Sequence, residues 1–288
     1  MQRCFLSLNL EVVMQRFLLS LMVMLAIVSV ASAQTTPPLA ANPSAIVYDR
    51  FDQKWLDPSK WLPTEACHPF SDSSETFSVM ECVRAIEEGK LRLEVKTWGD
   101  RSSNETRQYG DSELYFVRPN AVQSIKTTLN VKSTHAAICP ANPNTSTSQA
   151  IFGGNFFNTG TGNPADDMGG IFIFERNPGY GDPLTTVHGL ALVISSSFCC
   201  GYHDFGIFRI GQPIVAKLKW DQPNHQFIAS TTTANGSIQA VMPYPTADTM
   251  PPAAPSKFLG ARAFVPNCTD QTTTGDIEAY FDDVVVNE

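Results

Sequence analysis

Four side chains in one short segment, "QYGDSELYF", have the types and the spacing to do chemistry. Tyr109, Asp111, Glu113 and Tyr115 alternate along it, and alternate residues of a β-strand point to the same face. Residues two apart in a strand lie about 6.5–7 Å apart, so two carboxylates would stand side by side between two phenol rings. Such a pair could act as general acid and base, with Asp111 and Glu113 as the candidate catalytic residues.

The same four residues form the predicted ligand-binding set. Carboxylates accept hydrogen bonds from hydroxyl groups, and tyrosine presents a large ring with a polar tip. The set therefore suits a hydroxyl-rich ligand such as a sugar. The alternative interpretation is a solvated strand face that binds no ligand. Leu114 and Phe116 fall on the opposite face and are predicted to belong to a hydrophobic core.

Short β-strands must position these residues. The segment "KLRLEVKTW" (90–98) alternates Leu91, Leu93 and Val95 with charged residues, which is the period of two expected of a half-buried strand. Similar short runs follow, separated by clusters of Gly, Pro, Asn and Asp, and "WDQPNHQF" (220–227) is typical of a hairpin. Only the segment 73–89 allows a short helix. The pattern predicts an all-β fold, a sandwich or a barrel.

The first 33 residues are predicted to be a secretory signal peptide. Arg16 gives a basic start, the apolar run 17–30 follows, and Ala31-Ser32-Ala33 is a cleavage site of the A-x-A type. The apolar run is too short for a membrane-spanning helix, so we expect no membrane insertion after cleavage. Residues 34–46 are a Pro- and Ala-rich linker, and 47–288 form one domain. The expected location is extracellular or periplasmic.

The charge balance bears on possible partners. The chain has 20 basic and 28 acidic residues, for a formal net charge of −8. An acidic surface argues against binding to nucleic acid and to anionic membranes.

The cysteines indicate disulfide bonds. Six remain once the signal peptide is removed: Cys67, Cys82, Cys139, Cys199, Cys200 and Cys268. An even number in an exported chain is typical of disulfides. We expect Cys67 to pair with Cys82 across a short loop. The neighbours Cys199 and Cys200 should bond to different partners, and Cys139 and Cys268 are the two that remain. A zinc site at "FCCGYH" is the less favoured alternative, because zinc motifs usually use spaced pairs.

Three segments carry a resemblance to a known superfamily. "FDQKWLDPSKW" (51–61) resembles the entry strand of secreted concanavalin A-like lectin/glucanase domains, "EEGKLRLEVK" (87–96) resembles their second strand, and "IEAYFDDVVV" (277–286) is similar to their closing strand. The resemblance implies a jelly-roll sandwich of two antiparallel sheets, stapled by the disulfides, in which the concave sheet commonly holds carbohydrate. It also implies that the first and last strands pair, with Trp55 and Trp61 as packing anchors.

The catalytic motif of the laminarinase-like branch is absent from this sequence. That branch cuts β-glucans with Glu-x-Asp-x-x-Glu or Glu-x-Asp-x-Glu on one strand, where two carboxylates serve as nucleophile and acid. No glutamate of the chain begins either motif. The resemblance therefore implies a non-catalytic relative.

The resemblance also implies a possible structural calcium ion. Catalytic relatives often carry one between the first and last strands. Asp282 matches the aspartate of the closing strand, and Asp52 near the entry could supply a second oxygen. No other cofactor is expected.

The sequence thus supports three hypotheses. The first is a secreted non-catalytic, lectin-like protein whose partner is a polysaccharide or glycan. The second is a glycoside hydrolase that uses Asp111 and Glu113 as a non-standard acid pair. The third is a structural or adhesive extracellular β-sandwich without a sugar ligand.

Overall fold

The computed structural model describes residues 45–62, 67–69, 79–195 and 201–288. Within these ranges the chain forms fifteen β-strands, joined by turns and by four short 3₁₀ helices. The strands are β1 (Ile46–Asp49), β2 (His68–Pro69), β3 (Met80–Glu87), β4 (Lys90–Trp98), β5 (Arg107–Tyr115), β6 (Ser124–Ala136), β7 (Thr147–Asn158), β8 (Asp167–Arg176), β9 (Thr186–Ile194), β10 (Gly201–Arg209), β11 (Ile214–Asp221), β12 (Gln226–Thr233), β13 (Gly236–Pro243), β14 (Lys257–Pro266) and β15 (Thr274–Val286). The 3₁₀ helices are Pro119–Ala121, Pro164–Asp166, Pro178–Tyr180 and Gln222–Asn224.

The predicted signal peptide and most of the predicted linker lie outside the described residues. The helices that the structure does describe are all too short to cross a membrane.

The strands form two antiparallel sheets. One sheet has the order β13-β12-β11-β6-β15-β4-β3, with β1 added beside the end of β15, and the other has the order β10-β9-β8-β7-β14-β5-β2. Strands far apart in sequence are neighbours in both orders, as β5 and β14 show. The predicted all-β, two-sheet antiparallel jelly-roll sandwich is confirmed.

Hydrophobic side chains from both sheets fill the space between them. Leu91, Leu93 and Val95 on β4 are fully buried, as their alternation predicts. From the other sheet, the rings of Phe152 and Phe172 stack with their centroids 5.5 Å apart. Full burial of one such side chain contributes about 1.5–3 kcal/mol, so this layer provides much of the stability of the fold.

The segment that allowed a helix contains a strand instead. Residues 80–87 pair along their whole length with β4, so the expectation of a helix is wrong there, and 73–78 lie outside the described residues. The two-residue turn of Glu88 (φ 52°) and Gly89 (φ 71°) explains the outcome. Positive φ at both positions is the geometry that closes a tight hairpin, and the pairing with β4 outweighs local helix propensity.

Two other strand predictions are confirmed. The segment "WDQPNHQF" is the hairpin between β11 and β12, in which Trp220 pairs with Phe227. The first and last strands pair, since Ile46 lies opposite Val286.

The two tryptophans near the entry strand have different environments. Trp61 is 1% exposed, packs on Phe116 with a centroid distance of 4.7 Å, and donates from its indole nitrogen to Asp49 Oδ2 at 2.6 Å. Trp55 is 75% exposed. The packing role predicted for Trp55 is therefore wrong, because its ring lies largely in solvent, with Lys54 Nζ 5.5 Å from its centroid.

Two disulfides join described residues. The bond between Cys67 and Cys82 is as predicted, with the Cα atoms 5.8 Å apart. The other joins Cys139 to Cys268, whose Cα atoms are 5.6 Å apart. The expectation that these two would bond to Cys199 and Cys200 is therefore wrong. The ends of β6 and β14 meet at one end of the sandwich, where Asn142 Nδ2 donates to Asn267 O at 2.9 Å. Cys199 and Cys200 themselves lie outside the described residues.

One lysine is buried at the start of β14. Lys257 is 1% exposed, donates to Asn155 O, and lies 4.0 Å from the ring centroid of Phe156. Burial lowers the pKa of its ammonium group to about 7, although the charge of Asp167 acts in the opposite direction. An ammonium group in such surroundings loses most of its hydration.

Candidate functional site

The residues singled out from the sequence share one face of β5. This strand pairs with β14, so that Tyr109 lies opposite Phe264, Asp111 opposite Arg262, and Glu113 opposite Gly260. The alternate residues of β5, such as Leu114, belong to the core between the sheets. We call the side of the seven-stranded sheet that points away from this core the outer face.

The two carboxylates on the outer face are buried and bonded within the chain. Asp111 is 7% exposed and Glu113 is 2% exposed. The hydroxyl of Tyr109 donates to Asp111 Oδ2 at 2.7 Å, and the hydroxyl of Tyr115 donates to Glu113 Oε2. The interpretation as a solvated strand face is therefore wrong. The physical reason is that Tyr109 and Tyr115 on the same strand, and Arg262 on the neighbouring strand, bond to the carboxylates.

Arg262 is the partner that the local sequence of β5 could not reveal. Its Nε donates to Glu113 Oε1 at 2.6 Å, and its guanidinium carbon lies 4.9 Å from the ring centroid of Phe258. Burial alone would lower the pKa of this guanidinium, but Glu113, Tyr109 and Asp111 together raise it above its ordinary value. Arg262 therefore stays positively charged and holds its partners in place.

The two tyrosines remain neutral hydrogen-bond donors. Burial raises the pKa of Tyr109 and of Tyr115 well above the ordinary value, and the adjacent carboxylates raise both further. A neutral phenol donates to a carboxylate, so this part of the outer face is a fixed network.

Polar side chains continue from β5 across the sheet. The strand registers place Asp111, Arg262, Gln149, Glu175 and His188 at matched positions on β5, β14, β7, β8 and β9. We call these five residues the polar row. Gln149 Nε2 donates to Glu175 Oε2 at 2.7 Å, so contacts as well as register join neighbouring members.

The far end of the polar row is anchored by a loop and by the edge strand. The hydroxyl of Tyr180 donates to Glu175 Oε1 at 2.7 Å. His188 Nδ1 lies 3.0 Å from Asp182 Oδ2, and its Nε2 lies 2.7 Å from Asp204 Oδ1. Both nitrogens donate to carboxylates only when both carry hydrogen. Burial would lower the pKa of His188, but the bonds to Asp182 and Asp204 raise it above its ordinary value.

Aliphatic side chains lie beside the polar row, and exposed aromatic rings lie near its far end. Ile151, Ile171 and Ile173 form a small buried cluster with Phe258 on the outer face. Tyr180 is 40% exposed and Tyr202, on the edge strand β10, is 58% exposed. This end of the outer face therefore offers aromatic rings to a ligand.

Four members of the polar row were missed by reasoning from the sequence. Arg262 is a single cation inside the apolar run "FLGARAFV", and Glu175 ends the run "GIFIFE". A charged residue inside or at the end of an apolar run is the signal that could have identified these two residues. Nothing local to Gln149 or His188 indicates that they join a row, because their alignment depends on the strand order.

The predicted calcium ligands lie at the other sheet. Burial raises the pKa of the Asp282 carboxyl, and the nearby charges of Asp283 and Asp52 raise it further, so Asp52 is close enough to act on Asp282. Among the residues that the structure describes, no group of three or more His, Cys, Asp or Glu side chains is arranged to hold a metal ion. Calcium takes six to eight oxygens, so a site here would depend on backbone oxygens, and calcium remains a prediction.

Comparison with known proteins gives matches among solved structures. No protein-family model matches the chain. No curated protein matches it either. The winged bean acidic lectin in complex with methyl-α-D-galactose is 11% identical, with 75% of this chain and 96% of the lectin covered and a TM-score of 0.35.

Two mycobacterial structures also match. An immunostimulatory antigen and pseudo β-1,3-glucanase of Mycobacterium tuberculosis is 12% identical, with 83% of this chain and 97% of that chain covered and a TM-score of 0.38. A glycosyl hydrolase family protein of Mycobacterium fortuitum is 12% identical, with 84% and 100% covered and a TM-score of 0.39. The assignment of the fold rests on the two sheets and their strand order.

Proposed function

We propose that the chain is a secreted, non-catalytic carbohydrate-binding protein, and that sugar contacts the outer face of the seven-stranded sheet. The polar row is the observation that carries this proposal. Hydrogen-bonding side chains occupy matched positions on five consecutive strands, from Asp111 to His188. A flat array of fixed donors and acceptors suits a ligand that presents many hydroxyl groups.

The surroundings of the row supply the second requirement of sugar recognition. Ligand sites combine apolar and aromatic surface with a few well-placed polar groups that fix orientation. The exposed rings of Tyr180 and Tyr202 offer stacking surfaces near Glu175 and His188. We therefore place the sugar at the end of the row near β9 and β10, with the β5 residues Tyr109, Asp111, Glu113 and Tyr115 as its rigid support.

The state of the two β5 carboxylates favours binding over hydrolysis. A retaining hydrolase needs two carboxyl groups about 5–5.5 Å apart, one of which must give up a proton. Glu113 instead is bonded to Arg262 Nε and to the hydroxyl of Tyr115, and little of Glu113 reaches the surface. Asp111 is also bonded to Tyr109.

Two observations support the secreted location. The sequence pattern of residues 14–33 is that of a signal peptide. The two disulfides among the described residues are typical of oxidising compartments, so the proposed location is extracellular or periplasmic.

A binding screen tests the proposal. The chain from Gln34 to Glu288 would be screened against glycans and polysaccharides, with product analysis of each hit and with calcium present or chelated. We expect binding without products, and weaker binding on Tyr180→Ala and Tyr202→Ala. Trp55→Ala is the matched control, because it removes an exposed ring elsewhere.

Each other outcome has a definite meaning. Released products would support the hydrolase hypothesis, and Glu113→Gln would then be the first variant to test. Absence of binding by the folded protein would contradict the proposal and favour the structural or adhesive role. Binding lost only on chelation would support the calcium ion proposed near Asp52 and Asp282.

A further inference from the structure

A separate cleft lies where the end of β6, the β8–β9 connection and the β10–β11 turn meet. Its volume is about 610 Å³, and no member of the polar row lines it. Two cationic side chains, Lys132 and Arg209, line this space together with Ser133, Thr134 and Thr185. The hydroxyls of Ser133 and Thr134 donate to β15, at Glu278 Oε2 and Asp276 O. The composition differs from that of the polar row, which contains two acidic residues, Asp111 and Glu175, and two basic residues, Arg262 and His188.

A β-bulge directs Lys132 toward the cleft. In the pairing of β6 with β15, Ser133 lies opposite Glu278 and Val131 lies opposite Ala279, so Lys132 is an extra residue on its strand. A bulge bends the strand locally and redirects the inserted side chain. The regular alternation of β6 therefore ends at the position that supplies the first cation.

The positive charges at the cleft are not neutralised by the described part of the chain. Lys132 and Arg209 are exposed, and neither forms an ion pair with a described residue. Two acidic side chains on the surrounding elements already have partners. Glu278 lies 3.0 Å from Arg92, and Asp182 lies 3.0 Å from His188. In a chain with a net charge of −8, this local excess of positive charge stands out.

Backbone hydrogen bonds fix the walls of the cleft. Gly211 N donates to Val131 O at 2.8 Å, which joins the β10–β11 turn to β6. Ile210 N donates to Thr185 O at 2.9 Å, which joins the same turn to the β8–β9 connection. A site whose walls are held in this way loses little conformational entropy on binding.

The groups in the cleft match an oxyanion attached to a larger body. Arginine and lysine bind carboxylate and sulfate-like oxygens through charge-assisted hydrogen bonds, and the hydroxyl of Thr185 adds a neutral donor to the lining. Leu184, which is 80% exposed, and Ile210 add apolar surface for the C–H face of a ring. We propose that this cleft binds an acidic saccharide through its carboxylate or sulfate group. The saccharide part of this inference rests on the proposed function, whereas the anion part does not.

Titration calorimetry on the chain from Gln34 to Glu288 tests the inference. The probes are trigalacturonate, which carries carboxylates, an ι-carrageenan tetrasaccharide, which carries sulfates, neutral galactotriose and sodium sulfate. We expect one of the two acidic saccharides to bind, more weakly at high ionic strength. The double variant Lys132→Gln/Arg209→Gln should weaken that binding about tenfold or more.

The control removes the same charge elsewhere. Lys90→Gln/Arg118→Gln changes two exposed cations outside the cleft and should leave affinity unchanged. Equal weakening by both double variants, or no binding of either acidic saccharide by the folded protein, would overturn the inference. Binding of sodium sulfate alone would overturn the saccharide assignment. A neutral glycan bound at the polar row should keep its affinity in Lys132→Gln/Arg209→Gln, so failure of one site is distinguishable from failure of the other.

Discussion

Arg262 on β14 reaches diagonally to Glu113 on β5, although the residue directly opposite Glu113 is Gly260. Both side chains of the pair are largely buried, at 12% and 2% exposure. The glycine leaves room beside the pair, because a Cβ there would lie 3.2 Å from Glu113 Cγ and 3.1 Å from Ile151 Cγ2. A side chain at position 260 would therefore press on Glu113 and Ile151 unless these side chains shifted by a few tenths of an ångström.

Glu113→Gln should destabilise the fold, because it leaves a buried guanidinium without its main partner. Breaking a buried ion pair costs about 3–5 kcal/mol, and we expect a loss near the lower end since Asp111 remains beside Arg262. Urea unfolding of both proteins measures the difference. The double variant Glu113→Gln/Arg262→Met should recover part of the loss. A loss below about 1 kcal/mol for the single variant would indicate a solvent-screened pair.

The two disulfides should contribute unequally to stability. The Cys139–Cys268 bond closes a loop with a sequence separation of 129, against 15 for Cys67–Cys82. The chain-entropy model gives about 5 kcal/mol for the longer loop and about 3 for the shorter. Paired Cys→Ser variants and denaturant unfolding would measure both. Peptide mapping comes first, because a bond from Cys139 to Cys199 or Cys200 would contradict the pairing.

His188 should make stability depend on pH. Its pKa is raised in the folded chain, so the folded state binds this proton more tightly than the unfolded state. Protonated His188 therefore contributes fully to the free energy of unfolding below the ordinary pKa of about 6.5. This contribution is lost as the pH rises through the higher pKa of the folded state. The free energy of unfolding of the wild type should exceed that of His188→Gln, and this difference should be larger at about pH 5 than at about pH 9. His135→Gln is the control, and a constant difference across this range would refute the assignment.

Lys257 should show the opposite dependence. Its folded pKa of about 7 lies below the ordinary value of about 10.4, so the unfolded chain binds more protons between these values and stability rises with pH there. At pH 7 we expect Lys257→Met to be as stable as wild type or about 1 kcal/mol more stable. This advantage should shrink toward pH 10. Lys219→Met is the control, and a large loss at pH 7 would show that the bond to Asn155 O dominates.

Local pattern was sufficient to predict individual strands and their faces. The alternation of Leu91, Leu93 and Val95 predicts a half-buried strand, and the structure has one at those residues. The shared face of Tyr109, Asp111, Glu113 and Tyr115 follows from the same period of two. Such predictions use only neighbours in sequence, which is why they succeed without knowledge of the topology.

The burial of the site residues and the identity of their bonding partners could not be predicted in this way. The cover over Glu113 comes from Arg262, which is 149 residues further along the chain. The polar row depends on the order in which β5, β14, β7, β8 and β9 lie in the sheet. The bond between Cys139 and Cys268 was missed for the same reason, because the approach of these two residues is a property of where two strands end.

The pairing of Ile46 with Val286 bears on how the protein can be attached or rearranged. Opposed residues of an antiparallel pair have Cα atoms about 4.5–5.5 Å apart, so a linker of a few residues could join them into a circular permutant. New ends could be opened at the exposed turn around Asn235, between β12 and β13. Ile46 and Val286 both lie on the eight-stranded sheet, so a tag fused beside either residue would be attached to the sheet that does not carry the polar row.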